Sequence, residues 1–279
     1  MADQCKPQLT SPAANVNNWV EWLRQPHLSS PAANVNNWVD WLRQPQLTSL
    51  AASVNNWVDW PATIELRRVE WMKVYRVWTA NPHWQVARIE LSFEERARSK
   101  RFVHDRDRER FIAAHKALRT LIGDVDLATG PNGKPSCRGI GFNLSHSGDL
   151  ALIAIADSDV GVDVEQITER DLELLAPTVF SAAELIAFAH APHRPAAFFR
   201  AWVRKEAYVK MLGIGVSSAL SSFDVSMDAD VRDALLESRI AGAPRTRVVP
   251  LAIDDGYEAA LATTDFDAKI ELVELHPQL

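Results

Sequence analysis

The sequence predicts an α+β fold, and three observations carry that expectation. Segments of helical and strand periodicity are interspersed without a regular strand–helix–strand alternation. The glycine fingerprints of doubly wound nucleotide-binding sheets, GxGxxG and GxxxxGK followed by Ser or Thr, do not occur. A repetitive head is set apart from a body whose texture is that of an ordinary globular chain.

The head is a tandem repeat. Leu9–His27 recurs as Leu28–Gln46 with changes only at Thr10/Ser29, Glu21/Asp40 and His27/Gln46, and a third, truncated copy runs from Leu47 to Trp60. Six of the ten tryptophans lie here (Trp19, Trp22, Trp38, Trp41, Trp57 and Trp60), so the tryptophan content is no sign of an aromatic surface on the body. Each copy carries helix punctuation: Ser30 as cap, Pro31 in the first turn, Pro45 as stop, with Val35, Trp38, Val39 and Leu42 on one face. A helix so short is marginal alone in water. The 19-residue period matches none of the common helical solenoids. A recent duplication of a loosely ordered tail is therefore preferred to a docking segment.

The body begins near Glu70. Val74–Thr79 alternates as a strand does, with Val74, Arg76 and Trp78 on one side. The range 92–123 reads as helix, opened by Ser92 and Glu95 in capping-box spacing. From Gly139 the pattern turns to strands: Phe142–Leu144, the turn Ser147-Gly148-Asp149, the apolar run Leu150–Ala156, a second turn at Asp157-Ser158-Asp159, then Val160–Val164. Asp171–Ala189 and Ala196–Leu212 read as helices, and Phe223–Val225, Val248–Ile253 and Ile270–Leu275 as strands. The expected organisation is a head over 1–68 and two body segments, 69–160 and 161–279.

Composition narrows the function classes. The chain has 279 residues and a formal net charge of −6, which argues against a nucleic-acid binder driven by global positive charge. Its two cysteines, Cys5 and Cys137, are far apart, which excludes a disulfide framework and a cysteine-rich zinc site. No run approaches the ~20 apolar residues that cross a bilayer, and the first residues lack an apolar signal core. A cytoplasmic, membrane-free protein is the expectation.

Four short elements carry chemistry. In Gly161-Val162-Asp163-Val164-Glu165, strand alternation puts Asp163 and Glu165 on one face and sends Val162 and Val164 into the core. Two adjacent carboxylates repel, and a shared hard cation such as Mg²⁺ is a direct remedy. Ala201–Lys210 reads as helix, with Trp202, Glu206 and Lys210 on roughly one stripe. Gly133-Lys134-Pro135 is a fixed loop whose lysine suits a phosphate. Phe142–Gly148 places two hydroxyls and the His146 imidazole at a strand end, where they can donate to an anion. Each alone reads more simply as an acidic strand edge, a surface Glu–Lys pair, a turn or a polar hairpin end.

Together and in this order, GKP, FNLSHSG, GVDVE and WVRKEAYVK resemble the 4′-phosphopantetheinyl transferases, of the larger single-chain kind that activates nonribosomal peptide and polyketide synthases. The resemblance runs from about Val69 to about Leu275 and leaves out the head. It implies two similar α+β halves forming an intramolecular pseudo-dimer, hence a monomer, with coenzyme A between them. It implies transfer of phosphopantetheine from coenzyme A to a serine of an apo acyl or peptidyl carrier protein, in fatty-acid, polyketide or peptide biosynthesis, releasing 3′,5′-ADP. By motif match, Asp163, Glu165 and Glu206 hold Mg²⁺, or Mn²⁺, with the pyrophosphate. Lys210 contacts that pyrophosphate and assists proton movement, and Glu206 is the candidate general base. Lys134, Ser145 and His146 bind the coenzyme's phosphates, His146 the 3′-phosphate. Trp202 is structural.

The range 95–119 holds nine Lys and Arg residues, and the resemblance makes Arg110 or Arg119 the phosphate contact. Phe102, Phe111, Leu118 and Ile122 are expected on that helix's core face. The competing reading is an inactive coenzyme A or carrier-binding module with the tryptophan repeats as docking segment. Loss of a carboxylate would favour it, and all three are present.

Overall fold

The computed structural model describes residues 72–277 apart from 131, 138, 170–171 and 216–219. Contacts divide the chain into Met1–Glu65 and Leu66–Leu279, and the described residues belong to the second unit. The repeat helices expected in the head lie outside the described residues.

In chain order the described elements are β1 (Met72–Trp78), α1 (His83–Val86), α2 (Phe93–Ser99), α3 (Asp105–Ile122), β2 (Ala128–Thr129), β3 (Pro135–Ser136), β4 (Gly141–Ser147), β5 (Leu150–Ala156) and β6 (Val160–Gln166). They continue with α4 (Leu172–Val179), α5 (Ala182–Ala189), α6 (Arg194–Leu212), a 3₁₀ turn (Leu220–Ser222), β7 (Phe223–Val225), β8 (Leu235–Ser238), β9 (Arg247–Pro250), β10 (Tyr257–Thr263) and β11 (Ile270–Glu274). The expected α+β class is what the chain adopts.

Two sheets carry the architecture, one ordered β11-β1-β5-β4 and the other β6-β10-β9. Strand alternation builds their layers. Met72, Val74, Leu150, Leu152 and Ala154 leave the first sheet on one side and meet Val160, Val162, Val164, Ala259 and Leu261 of the second. Val77, Phe142, Ala151 and Ile153 leave it on the other side and meet Ala113, Ala114, Ala117, Leu118 and Ile122 of α3. The second sheet's outer face takes α6. Gly161 of β6 makes that approach possible: a Cβ there would stand 2.1 Å from the Ala207 carbonyl oxygen and 2.4 Å from the Met211 nitrogen. The layers thus run α3, first sheet, second sheet, α6. The last strand returns to the first sheet, where β11 lies parallel to β1, so a cut at 160/161 leaves β11 paired with the other segment.

Two expected helices are each broken in two, for reasons legible at their joints. The range 92–123 splits at 100–104 into α2 and α3. The capping box of Ser92 and Glu95 is present, but Glu95 also reaches α3, accepting from Arg119 Nε at 3.1 Å and pairing with His115 Nδ1 at 2.9 Å. Only a chain that doubles back brings these together. Phe102 then falls outside α3, its ring 5.2 Å from that of Phe111. Asp171–Ala189 splits at Phe180 and Ser181, because Ser181 and Glu184 form a second capping box and Phe180 turns inward between Phe188 and Phe198. Helix α6 ends at Gly213, whose φ of +66° is left-handed. Strand β10, the centre of the second sheet, had no sequence expectation; its Ala-Ala-Leu-Ala run has little of the β-branched character that marks strands.

Candidate active site

Strand β6 is an edge strand, and its exposed ladder is closed by side chains instead of another strand. Asn143, Ser145 and Ser147 alternate on one side of β4 and reach it. The Val162 amide donates to Asn143 Oδ1 at 2.8 Å and the Gln166 amide to Ser147 Oγ at 3.1 Å. Ser145 Oγ donates to Asp163 Oδ1 at 2.6 Å, and Ser147 Oγ to Glu165 Oε2 at 2.5 Å. Ser145, expected as a contact to the coenzyme's phosphates, and Ser147 thus donate here to the protein's own carboxylates.

Asp163 and Glu165 point toward α6, while Val162 and Val164 enter the core between the sheets. Helix α6 brings Glu206 and Lys210 to the same place. Lys210 Nζ lies 2.6 Å from Asp163 Oδ1 and donates to Ser145 Oγ at 3.0 Å. Glu206 is 1% exposed, and neither of its carboxyl oxygens has a hydrogen-bond partner; nor has Asp163 Oδ2. Burial, with the Asp163 charge second, pushes the Glu206 carboxyl up to about 8; Lys210 opposes this and Glu165 adds to it.

These residues fit a hard divalent cation in donor type. All the donors are carboxylate oxygens, and three of them are buried without a partner, which is costly unless something else satisfies them. The side chains are not closed around an ion: among the described residues no group of three His, Cys, Asp or Glu stands in ligating geometry, and the Lys210 ammonium occupies Asp163.

The expected phosphate contacts are dispersed. Lys134 Nζ donates to the carbonyls of Met211 at 2.9 Å and Val160 at 3.4 Å, so it lies along the β6 edge, where Lys210 Nζ reaches the Val162 carbonyl at 3.4 Å. Burial lowers the pKa of Lys134. His146 falls on the opposite side of β4 from Ser145 and Ser147, opposite Ala151 in the register and half-buried toward α3. Arg110 is held by Asp149 of the β4–β5 turn, through Nε at 2.8 Å and Nη2 at 2.7 Å. Arg119 points inward, 4% exposed, spent on Glu95 and on the Val125 carbonyl at 2.5 Å. It is not brought to Asp163, Glu165 or Glu206.

Other residues escaped the sequence reading. Lys205, a motif member without an assigned role, is fully buried. Its Nζ meets Glu184 at 2.8 Å and the carbonyls of Leu220 at 2.6 Å and Phe223 at 2.7 Å, tying α6 to α5 and to the segment entering β7. Glu258 stands opposite Glu165 in the β6–β10 register and is gripped by Arg200 of α6 at 2.7 Å. Trp202 stacks parallel to Phe198, at 6.3 Å between ring centroids, as a structural residue does.

The stretch that bears this site, residues 159–262, matches the model of the 4′-phosphopantetheinyl transferase superfamily. The match contains Asp163, Glu165, Glu206 and Lys210. The chain is 36% identical over 186 residues to the 4′-phosphopantetheinyl transferase psf-1 of Bacillus pumilus, covering 62% of this chain and 78% of that one. It is 32% identical over 194 residues to the 4′-phosphopantetheinyl transferase HetI of Nostoc, covering 63% and 79%. To the 4′-phosphopantetheinyl transferase Sfp of Bacillus subtilis it is 28% identical over 223 residues, covering 72% and 97%. The chain therefore belongs to the 4′-phosphopantetheinyl transferase family of enzymes.

Proposed function

We propose that this enzyme transfers 4′-phosphopantetheine from coenzyme A to a serine hydroxyl of an apo acyl or peptidyl carrier protein, with Mg²⁺, releasing 3′,5′-ADP. The observation that carries the reading is the trio Asp163, Glu165 and Glu206, with three unpartnered buried oxygens beside the Lys210 ammonium. In this reading the three carboxylates hold Mg²⁺, or Mn²⁺, which supplies charge neutralisation at the coenzyme's pyrophosphate. Lys210 moves from Asp163 to the pyrophosphate oxygens and steadies the charge that builds on the leaving phosphate. The carrier serine is a poor nucleophile unless a base takes its proton, and Glu206, directly or through water, is the candidate.

Lys134 lies along the same β6 edge as Lys210 and is the next phosphate contact in reach. His146 is read as the contact to the 3′-phosphate and Arg110 as a further contact to the coenzyme's phosphates. The two sheets, each backed by one long helix, are read as the two halves of a pseudo-dimer within one monomer. No described helix is long and apolar enough to cross a membrane.

Intact-protein mass spectrometry tests the reading. The enzyme is mixed with coenzyme A, Mg²⁺ and a panel of apo carrier proteins, with EDTA, a serine-to-alanine carrier and Asp163→Ala enzyme as controls. A mass gain of one phosphopantetheine on a carrier, absent in the first two controls and nearly absent with Asp163→Ala, is the expected result. No gain on any carrier, from folded enzyme that binds coenzyme A, would leave the inactive binding module as the better account. Near-normal transfer by Asp163→Ala would remove the metal assignment.

A further inference from the structure

The side chains that β4 lends to β6 do more than cover an edge. We infer that Ser147 is a positioning residue for Glu165, orienting that carboxylate toward the Mg²⁺ of the proposed reaction; the inference rests on that reading. A serine hydroxyl has one proton to give and lone pairs to receive. The Gln166 amide can only donate, and it donates to Ser147 Oγ at 3.1 Å. The hydroxyl proton is thereby directed to Glu165 Oε2, 2.5 Å away. Ser147 is 3% exposed and Glu165 7%, so water has little access to compete for this bond.

The hydroxyl is itself held from behind. Ser147 pairs with Leu150 in the β4–β5 register. The turn between them is pinned by Gly148, whose φ is +56° and whose missing Cβ would stand 2.6 Å from Gln166 Oε1. Asp149 fastens the same turn to α3 through Arg110 at 2.8 Å and Arg106 at 3.0 Å, and the Thr79 amide donates to the Asp149 carbonyl at 2.8 Å. Ser147 thus connects a rigid hairpin to one ligand side chain.

Ser145 makes the parallel contact to Asp163 two residues earlier on both strands, but its oxygen also receives Lys210. That residue mixes positioning with the lysine's own chemistry, which leaves Ser147 the cleaner case. Polar groups just behind metal ligands set ligand orientation, and losing one typically costs about tenfold to a hundredfold in metal affinity.

The test titrates Mn²⁺ into the full-length protein without coenzyme A or carrier, following free Mn²⁺ by electron paramagnetic resonance, and measures the Mg²⁺ requirement of transfer. For Ser147→Ala, Mn²⁺ binding is expected to weaken about tenfold to a hundredfold, and the Mg²⁺ concentration for half-maximal transfer to rise in step. Ser147→Thr keeps the donor and restores both to within about threefold of wild type. In a Glu165→Gln background, Ser147→Ala adds no further loss of Mn²⁺ affinity. Ser147→Cys, whose thiol is a weak donor, repeats the test should the alanine variant unfold. Wild-type Mn²⁺ affinity in a Ser147→Ala protein that melts lower would overturn the inference and leave Ser147 a cap on the Gln166 amide. Wild-type protein that neither binds Mn²⁺ nor transfers with Mg²⁺ would instead overturn the metal reading itself, and the inference with it.

Discussion

Glu206 is where this molecule departs furthest from what folding alone would choose. A buried carboxyl without a hydrogen bond, near two further acids, is a liability that a hydrophobic residue would not carry. The cost has a pH signature. Burial and the neighbouring charges raise the folded-state carboxyl from 4.5 to about 8, so between these values the folded protein holds a proton that the unfolded chain has lost. Stability therefore falls as pH rises through that window, by about 1.4 kcal/mol per unit while the difference persists, and levels off above it. Glu206→Gln removes the titrating group. In EDTA its stability advantage over wild type is expected to grow from pH 5 to pH 8 and then stay constant, while its carrier modification is lost. Urea unfolding of both proteins at a series of pH values reads the difference directly, and an advantage that does not change with pH would contradict the assignment.

At this scale the sequence disclosed residues whose placement follows from local periodicity. Asp163 and Glu165 share a face because a strand alternates, and Glu206 and Lys210 share one because a helix repeats at four residues. What it did not disclose are partnerships across many residues. Arg119 lies in a basic run, and nothing near it in sequence says that its charge is taken by Glu95, 24 residues earlier. The role of Lys205 depends on Glu184 and on the carbonyls of Leu220 and Phe223. The polar side chains at 143, 145 and 147, alternating with Phe142 and Leu144, were a usable sign that one side of β4 faces something polar.

At the scale of elements, the seating of α6 on β6 decides whether the proposed site can form, because Asp163 and Glu165 come from one and Glu206 and Lys210 from the other. Gly161 is the point of closest approach. A methyl group there meets the backbone of α6, at Ala207 and Met211, and neither atom belongs to a flexible side chain that can step aside. Gly161→Ala is expected to push the helix off the strand, costing about 1–3 kcal/mol or more in unfolding free energy, and to reduce transfer beyond what the stability loss explains, since Glu206 moves with the helix. Denaturant unfolding and a transfer assay on the same preparation check both. Wild-type stability would mean that α6 sits farther from β6 than the structure has it. The helix breaks teach a related lesson about legibility. Ser181 and Glu184 repeat the spacing of Ser92 and Glu95, yet a capping box inside a longer periodic run is easily passed over. Strand β10 hid for the opposite reason: its buried Ala-Ala-Leu-Ala run, with Ala260 opposite Asp163, carries little strand propensity.

For the molecule as a whole, the layering of α3, two sheets and α6 is built from the described residues. The first described strand starts at Met72, and its neighbours are β5 and the returning β11. Arg76 secures that return by pairing with Glu274 at 2.6 Å and Asp254 at 3.0 Å. Every side chain assigned to the site lies between Arg110 and Lys210, and the family match starts later still, at residue 159. The repeats were legible as repeats, but their copies are so alike that they carry no sign of separate tasks. Since every residue proposed for the site lies outside the repeats, removing residues 1–68 is expected to leave phosphopantetheine transfer to a free carrier within about twofold of the full-length rate. Initial rates with the same carrier, measured beside thermal melts of both forms, decide the matter. An unchanged melt with a large loss of rate would show that the tryptophan repeats recruit the carrier, and would return to the head the docking role that the sequence argued against.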